Sequence, residues 1–134
     1  MKKLEALKPL ALFFLRSGIG IVFIYHGYPK LAHSSQWTQS FAHMGFPSYF
    51  AYIAGALEVI GGALLIAGLF TRVFGLLLAG EMAIAVWRVH LPQGSILNVG
   101  NYQLPLILAV GTFTLMALGA GVISLDYAIF RSKA

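Results

Sequence analysis

Apolar residues dominate four stretches of the chain, at about 9–29, 49–70, 72–91 and 103–125. Each approaches or exceeds the roughly 20 residues that a helix needs to cross a bilayer. Backbone groups in lipid must bond within their own segment, so runs of this length predict helices. The breaks between them are polar or turn-forming. "HSSQWTQSFAHMGFPS" (33–48) reads as a polar loop ending near Pro47. "FTR" (70–72) reads as a tight hairpin, and "LPQGSILNVGN" (91–101) holds Pro92 and two glycines. The pattern therefore predicts an all-α, polytopic membrane protein: one four-helix transmembrane bundle over residues 1–134. The apolar run from Pro9 to Tyr28 is too long for a signal core and long enough to span.

Composition strengthens this reading. Hydrophobic residues make up 59% of the chain and charged residues 10%, with a mean hydropathy of +0.83. A soluble domain carries about 25% charged residues, so this chain has too few to cover itself in water. It contains no cysteine, which excludes disulfides, thiolate metal sites and dithiol redox chemistry. The net charge of +5 would suggest nucleic acid in a soluble protein. Here the basic residues sit at segment ends, so lipid is the expected partner and nucleic acid is not. Lys2, Lys3, Lys8, Arg72, Arg131 and Lys133 fall on one side of a four-span chain, against Lys30 and Arg88 on the other. The positive-inside rule then places both termini in the cytoplasm, N-in/C-in. Trp37, Trp87, Tyr49, Tyr52 and Tyr102 fall near the opposite interface, as an aromatic belt does.

Helical phase sorts the candidate chemistry. Glu58 shares a face with Gly55, Gly61, Gly62 and Gly68, while Leu57, Ile60 and Leu64 lie opposite. Small residues let helices approach closely, so Gly20, Gly27, Gly55, Gly61, Gly62 and Gly68 are the expected packing positions. Arg16, Gly20, Gly27 and Lys30 form one face of span one, and Phe74, Glu81 and Arg88 one face of span three. Comparing depths by segment midpoints brings Arg16, Glu58 and Glu81 into one buried charge network. A second cluster, His26, Lys30, Arg88 and His90, is expected at the outer end, where it could hold a quinone head group or a small oxyanion. The competing readings are a buried ion pair that only sets helix register, and ordinary interfacial anchoring. No spacing of ligands points to a metal site.

The order and spacing of "RSGIGIVFIYHGYPKL" (16–31), "ALEVIGGALLIAGLFTR" (56–72) and "LGAGVISLD" (118–126) resemble the DoxX family of small four-helix membrane proteins. By that resemblance Arg16, Gly27, Lys30, Glu58, Gly62, Gly68, Arg72 and Asp126 occupy characteristic positions, and His90 resembles the family's histidine at the end of span three. Gln103 stands where many members carry an acidic residue, and Glu81 is unusual. The resemblance implies the bacterial cytoplasmic (inner) membrane and redox company. Some relatives look like the small subunit of a thiosulfate:quinone oxidoreductase. Three functions follow as expectations: a membrane subunit of a quinone-linked oxidoreductase, a non-catalytic accessory subunit on a larger respiratory or photosynthetic complex, or a small transporter or lipid-binding protein. No intrinsic cofactor is expected, and quinone or bound lipid is the candidate ligand. Other subunits of a redox complex, or further copies of the chain, are the expected protein partners.

Overall fold

The computed structural model describes residues 1–90 and 97–130, and for His90 only the backbone. The regular elements among the described residues are all helices, with no strand. The elements are a short turn α1 (Lys2–Glu5), α2 (Lys8–Ala32), α3 (Ser34–His43), α4 (Phe50–Ala67), α5 (Thr71–Ile84), α6 (Gln103–Leu118) and α7 (Leu125–Phe130). A π-helical turn, Ala85–His90, continues α5, and a 3₁₀ turn, Val99–Asn101, precedes α6. By length and composition, the stretch Lys2–Ala32 and helix α4 can cross a membrane; α6 is apolar but shorter.

Two differences from the sequence pattern have local causes. The segment 33–48 is not wholly loop, because α3 covers most of it. The fourth apolar stretch does not run unbroken to residue 125. Helix α6 ends at Leu118, and Gly119 and Gly121 follow at φ 80° and 81°, a backbone region that favours glycine. Hydropathy continues through this break, so the pattern of apolar residues does not mark it.

Helices α2 and α4 pack antiparallel along a seam of glycines. A Cβ on Gly62 would lie 2.6 Å from the Gly20 carbonyl oxygen, and one on Gly27 would lie 2.7 Å from Glu58 Cβ. Gly55 fits under Lys30 and Leu31. Gly61 turns to α5, beneath Phe74 and Leu78. Gly75 does the same for α5 against α6, with Thr112 and Met116 backbone at 2.9 Å. Without a hydrophobic drive between helices in lipid, such close backbone approach supplies the packing. The buried core is Phe23, Leu65, Leu78, Met82, Leu108 and Leu115. Large apolar side chains such as Phe14, Ile21, Leu76, Ile107 and Phe113 point outward.

Candidate functional site

The glycine contacts set the register of α2 on α4, and the register separates the ionisable residues into two centres. Gly20 meets Gly62, and Gly27 meets Gly55 and Glu58. Arg16 is therefore about 16 Å along the axis from the level of Glu58, at roughly 1.5 Å per residue from Gly27. Lys30 lies one turn beyond Gly27 and reaches back.

The first centre is Lys30, Glu58 and Glu81. Lys30 Nζ donates to both carboxylate oxygens of Glu58, at 2.8 and 2.7 Å. Glu58 is 1% exposed, so the pair lies inside the bundle. Glu81, from α5, shares the wall of one cavity with Glu58 and Lys30. Its Oε1 is buried and meets no donor among the described residues. The Lys30 ammonium also sits 5.4 Å from the centre of the Trp37 ring on α3, a cation–π contact.

This cluster forms the polar end of two adjoining cavities of about 250 and 470 Å³. Both are bounded by Lys30, Glu58, Phe41 and Met44 of the α3 region, Met82, and Ala85 and Val89 of the π turn. Glu81, Leu57 and Ile84 are among the further residues of the smaller one; His26, Trp37 and Leu108 belong to the larger. The apolar face of α3 thus covers a space whose walls are greasy and whose end is charged.

The second centre is at the other end of α2. Arg16 is fully buried and donates to the carbonyls of Leu65 (3.2 Å), Ile66 and Ile123. Asp126 accepts from the backbone N–H groups of Phe70 (2.7 Å) and Thr71 (3.0 Å), at the start of α5. Its own N–H donates to the Gly68 carbonyl. Gly68 ends α4 at φ 74°, with its N–H and that of Leu69 both bonded to Leu64, a left-handed cap. Arg72 donates to Met116, Ala117 and Leu118, the last carbonyls of α6. These residues satisfy helix ends that would otherwise leave polar groups in a low-dielectric medium. They stitch the bundle together.

The expected network of Arg16, Glu58 and Glu81 is therefore corrected. Glu58 and Glu81 line one cavity, but the cation paired with Glu58 is Lys30 and not Arg16. Midpoint depths assume equal spans centred alike. Helix α2 extends to Ala32, and the glycine register slides Arg16 to the far end. The outer cluster is also regrouped. His26 and Lys30 line the same cavity. Arg88 is exposed, with its guanidinium 5.5 Å from the neighbouring Trp87 ring, and lines neither cavity. The cause is the π turn. Its i→i+5 bonding holds more residues per turn than an α-helix, so the α-helical phase that aligned Arg88 with Glu81 fails. The His90 side chain lies outside the described residues. The role of α3 was not visible in hydropathy. Its signal was the spacing of Trp37 and Phe41 in an otherwise polar decapeptide, apolar positions four apart on one face.

The DoxX family model matches residues 11–91. The Bacillus subtilis protein named "Putative oxidoreductase CatD" is 34% identical over 119 residues, covering 89% of this chain and 87% of that one. A Haemophilus influenzae protein named only "Uncharacterized protein" is 34% identical over 137 residues, covering 98% and 99%. No solved structure matches the chain. The fold is that of an all-helical membrane protein with a buried ion pair in the wall of two cavities. The chain belongs to the DoxX family.

Proposed function

We propose that this protein is the membrane subunit of a quinone-linked redox complex, with the Lys30–Glu58–Glu81 cluster as the polar end of its ligand site. Family membership and the name of the Bacillus relative support a redox-associated role in the membrane. One observation carries the specific reading: a buried ion pair with a third carboxyl closes an apolar cavity. An ion pair needed only for packing has no reason to face such a space. The residues fit a quinone-type molecule, which combines an apolar body with polar oxygens at the ring. Such a group supplies two-electron, two-proton chemistry. Lys30 offers a donor, the carboxyl pair holds or passes a proton, and Phe41, Met44 and Met82 exclude water. One ammonium facing two carboxyls leaves one formal charge over, which a proton on the pair cancels at low cost compared with burying it.

In this reading four helices cross a bacterial cytoplasmic membrane with both termini inside, α5 and its π turn forming the third span and α6 the fourth. The stitched end holding Arg16, Arg72 and Asp126 is then cytoplasmic, and the cavity opens in the outer leaflet under α3. Electrons come from a partner protein, since the chain carries no electron carrier of its own in this reading. A second reading, a non-catalytic accessory subunit or a self-associating one, draws support from Gly18 and Gly80. Both are exposed, with open space where a Cβ would stand, as at a surface where another helix packs.

Trp37 lines the site and reports on it. In a Trp87→Phe background, a short-chain benzoquinone added to the protein in lipid nanodiscs should quench Trp37 saturably, and Lys30→Gln should weaken that binding at least tenfold. Quenching that stays linear, or is unchanged by Lys30→Gln in folded protein, rules the reading out.

A further inference from the structure

We infer that the ligand carries an apolar chain, and that this chain leaves the site through the cleft between α4 and α5, passing between Ile53 and Ile84 into lipid. The inference rests on the reading of the cavities as a quinone-type site and adds the class of quinone, a tailed one, and its route. The packing of α4 on α5 leads there. Near the hairpin that joins them the two helices touch, with Gly61 under Phe74 and Leu78. Farther from the hairpin the smaller cavity lies between them. Ile53, Ala54 and Leu57 line it from α4; Glu81, Ile84 and Ala85 line it from α5 and the first residue of its π turn.

The rim of this cleft shows where it leads. Ile53 is 55% exposed and Ile84 50%, yet both line the cavity, so its wall continues onto the outer surface of the bundle. On the loop side Phe46 and Phe50, with ring centres 6.1 Å apart, belong to the same wall. An opening rimmed by isoleucine and phenylalanine faces lipid at lower cost than it faces water.

The two cavities differ in chemistry. Apart from Lys30, Glu58 and Glu81, the described residues that line the smaller one are all apolar. The larger one adds His26, Trp37 and Gln103 to its wall. Lys30, Glu58 and Ala85 border both, so one molecule can occupy the two together. A polar ring belongs in the larger cavity, where side chains offer hydrogen bonds. A hydrocarbon chain belongs in the smaller, because it leaves no polar group unpaired there. The chain gains little by exchanging lipid for the cleft, since both are apolar. The cleft therefore supplies direction rather than affinity: a molecule dissolved in the bilayer reaches Lys30 without crossing water.

The test uses two benzoquinones, one without a chain and one with a decyl chain that carries a diazirine next to the ring. Binding is read by Trp37 quenching in the Trp87→Phe protein in nanodiscs, with ligand expressed per mole of lipid so that partitioning does not count as affinity. Photolysis of the tailed probe should place adducts on Ala54, Leu57 or Ile84, and excess tailless quinone should remove them. Competed adducts on Leu104 or Leu108 instead, or none on α4 and α5, overturn the inference and leave the site standing; this arm needs no variant in the cleft. Ala54→Phe, which fills the cleft, should weaken binding of the tailed quinone about tenfold and leave the tailless one within about twofold. Equal effects on the two ligands in the folded variant also overturn it. If the tailless quinone does not quench Trp37 saturably, the quinone-site reading fails, and the inference falls with it.

Discussion

Arg16 and Lys30 occupy one face of one helix, about four turns apart, yet they serve different ends. Arg16 is a clamp: its fork holds carbonyls on α4 and on the segment after Gly121. Lysine has no fork, so Arg16→Lys should fold poorly, the freed buried carbonyls each costing about 1–3 kcal/mol. Lys30 is a counter-ion. Removing one partner of a buried pair typically costs about 3–5 kcal/mol; the Lys30 side chain is 12% exposed, so the lower end applies here. Lys30→Met and Glu58→Leu should each lower thermal stability in detergent, and the double replacement should recover much of the loss. Arg16→Leu combined with Glu58→Leu should instead be additive, since the two residues share no partner. Strong coupling in that second cycle would contradict the register described above. Residue types alone announced that buried charges needed partners; which cation met Glu58 depended on contacts between glycines on two helices.

At the scale of elements, the helices are held by backbone proximity and by capped ends. Gly62→Leu should prevent α2 and α4 from closing, because even a Cβ there meets Gly20 backbone at 2.6 Å, whereas Ala63→Leu points outward and should be tolerated. Equal yields of monodisperse protein from the two variants would argue against this seam. Asp126 ties the start of α5 to that of α7 through two N–H groups. An amide has one acceptor oxygen where the carboxylate has two, so Asp126→Asn should cost about 1.5–3 kcal/mol and be seen as a lower melting temperature. Hydropathy located the long helices well because burial in lipid demands continuous apolar sequence. It missed α3, whose mean polarity resembles a loop, and the break after Leu118, where only glycine conformation departs from the helix.

The two ends of the molecule differ in their polar chemistry. Arg16, Arg72 and Asp126 hold backbone groups at one end, and the Lys30–Glu58 pair with its adjoining cavities lies at the other. If the positive-inside count holds, a reporter fused after residue 134 reads cytoplasmic and one inserted in 44–48 reads external. The reverse pattern would place the cavity in the inner leaflet and require the ligand to arrive from that side. The two ends also separate the polar residues by the contacts they make: Arg16, Arg72 and Asp126 hold backbone groups at helix ends, whereas Lys30 and Glu58 pair with each other beside the cavities.

What the sequence by itself determined is the medium, the helical class, the small-residue seams and the existence of buried charge needing compensation. These follow from composition and from helical phase, both local properties of the chain. Tertiary structure alone decided that Lys30 rather than Arg16 pairs with Glu58, that Arg88 leaves the site, and that α3 roofs a cavity. Register between helices is a sum of many close contacts at distant sequence positions, with Gly20 on Gly62 and Gly27 on Gly55 as its anchors here. A π turn then changes helical phase locally. The register belongs to no single segment, and the π turn leaves no mark of its own in the apolar pattern, so neither could be read from that pattern.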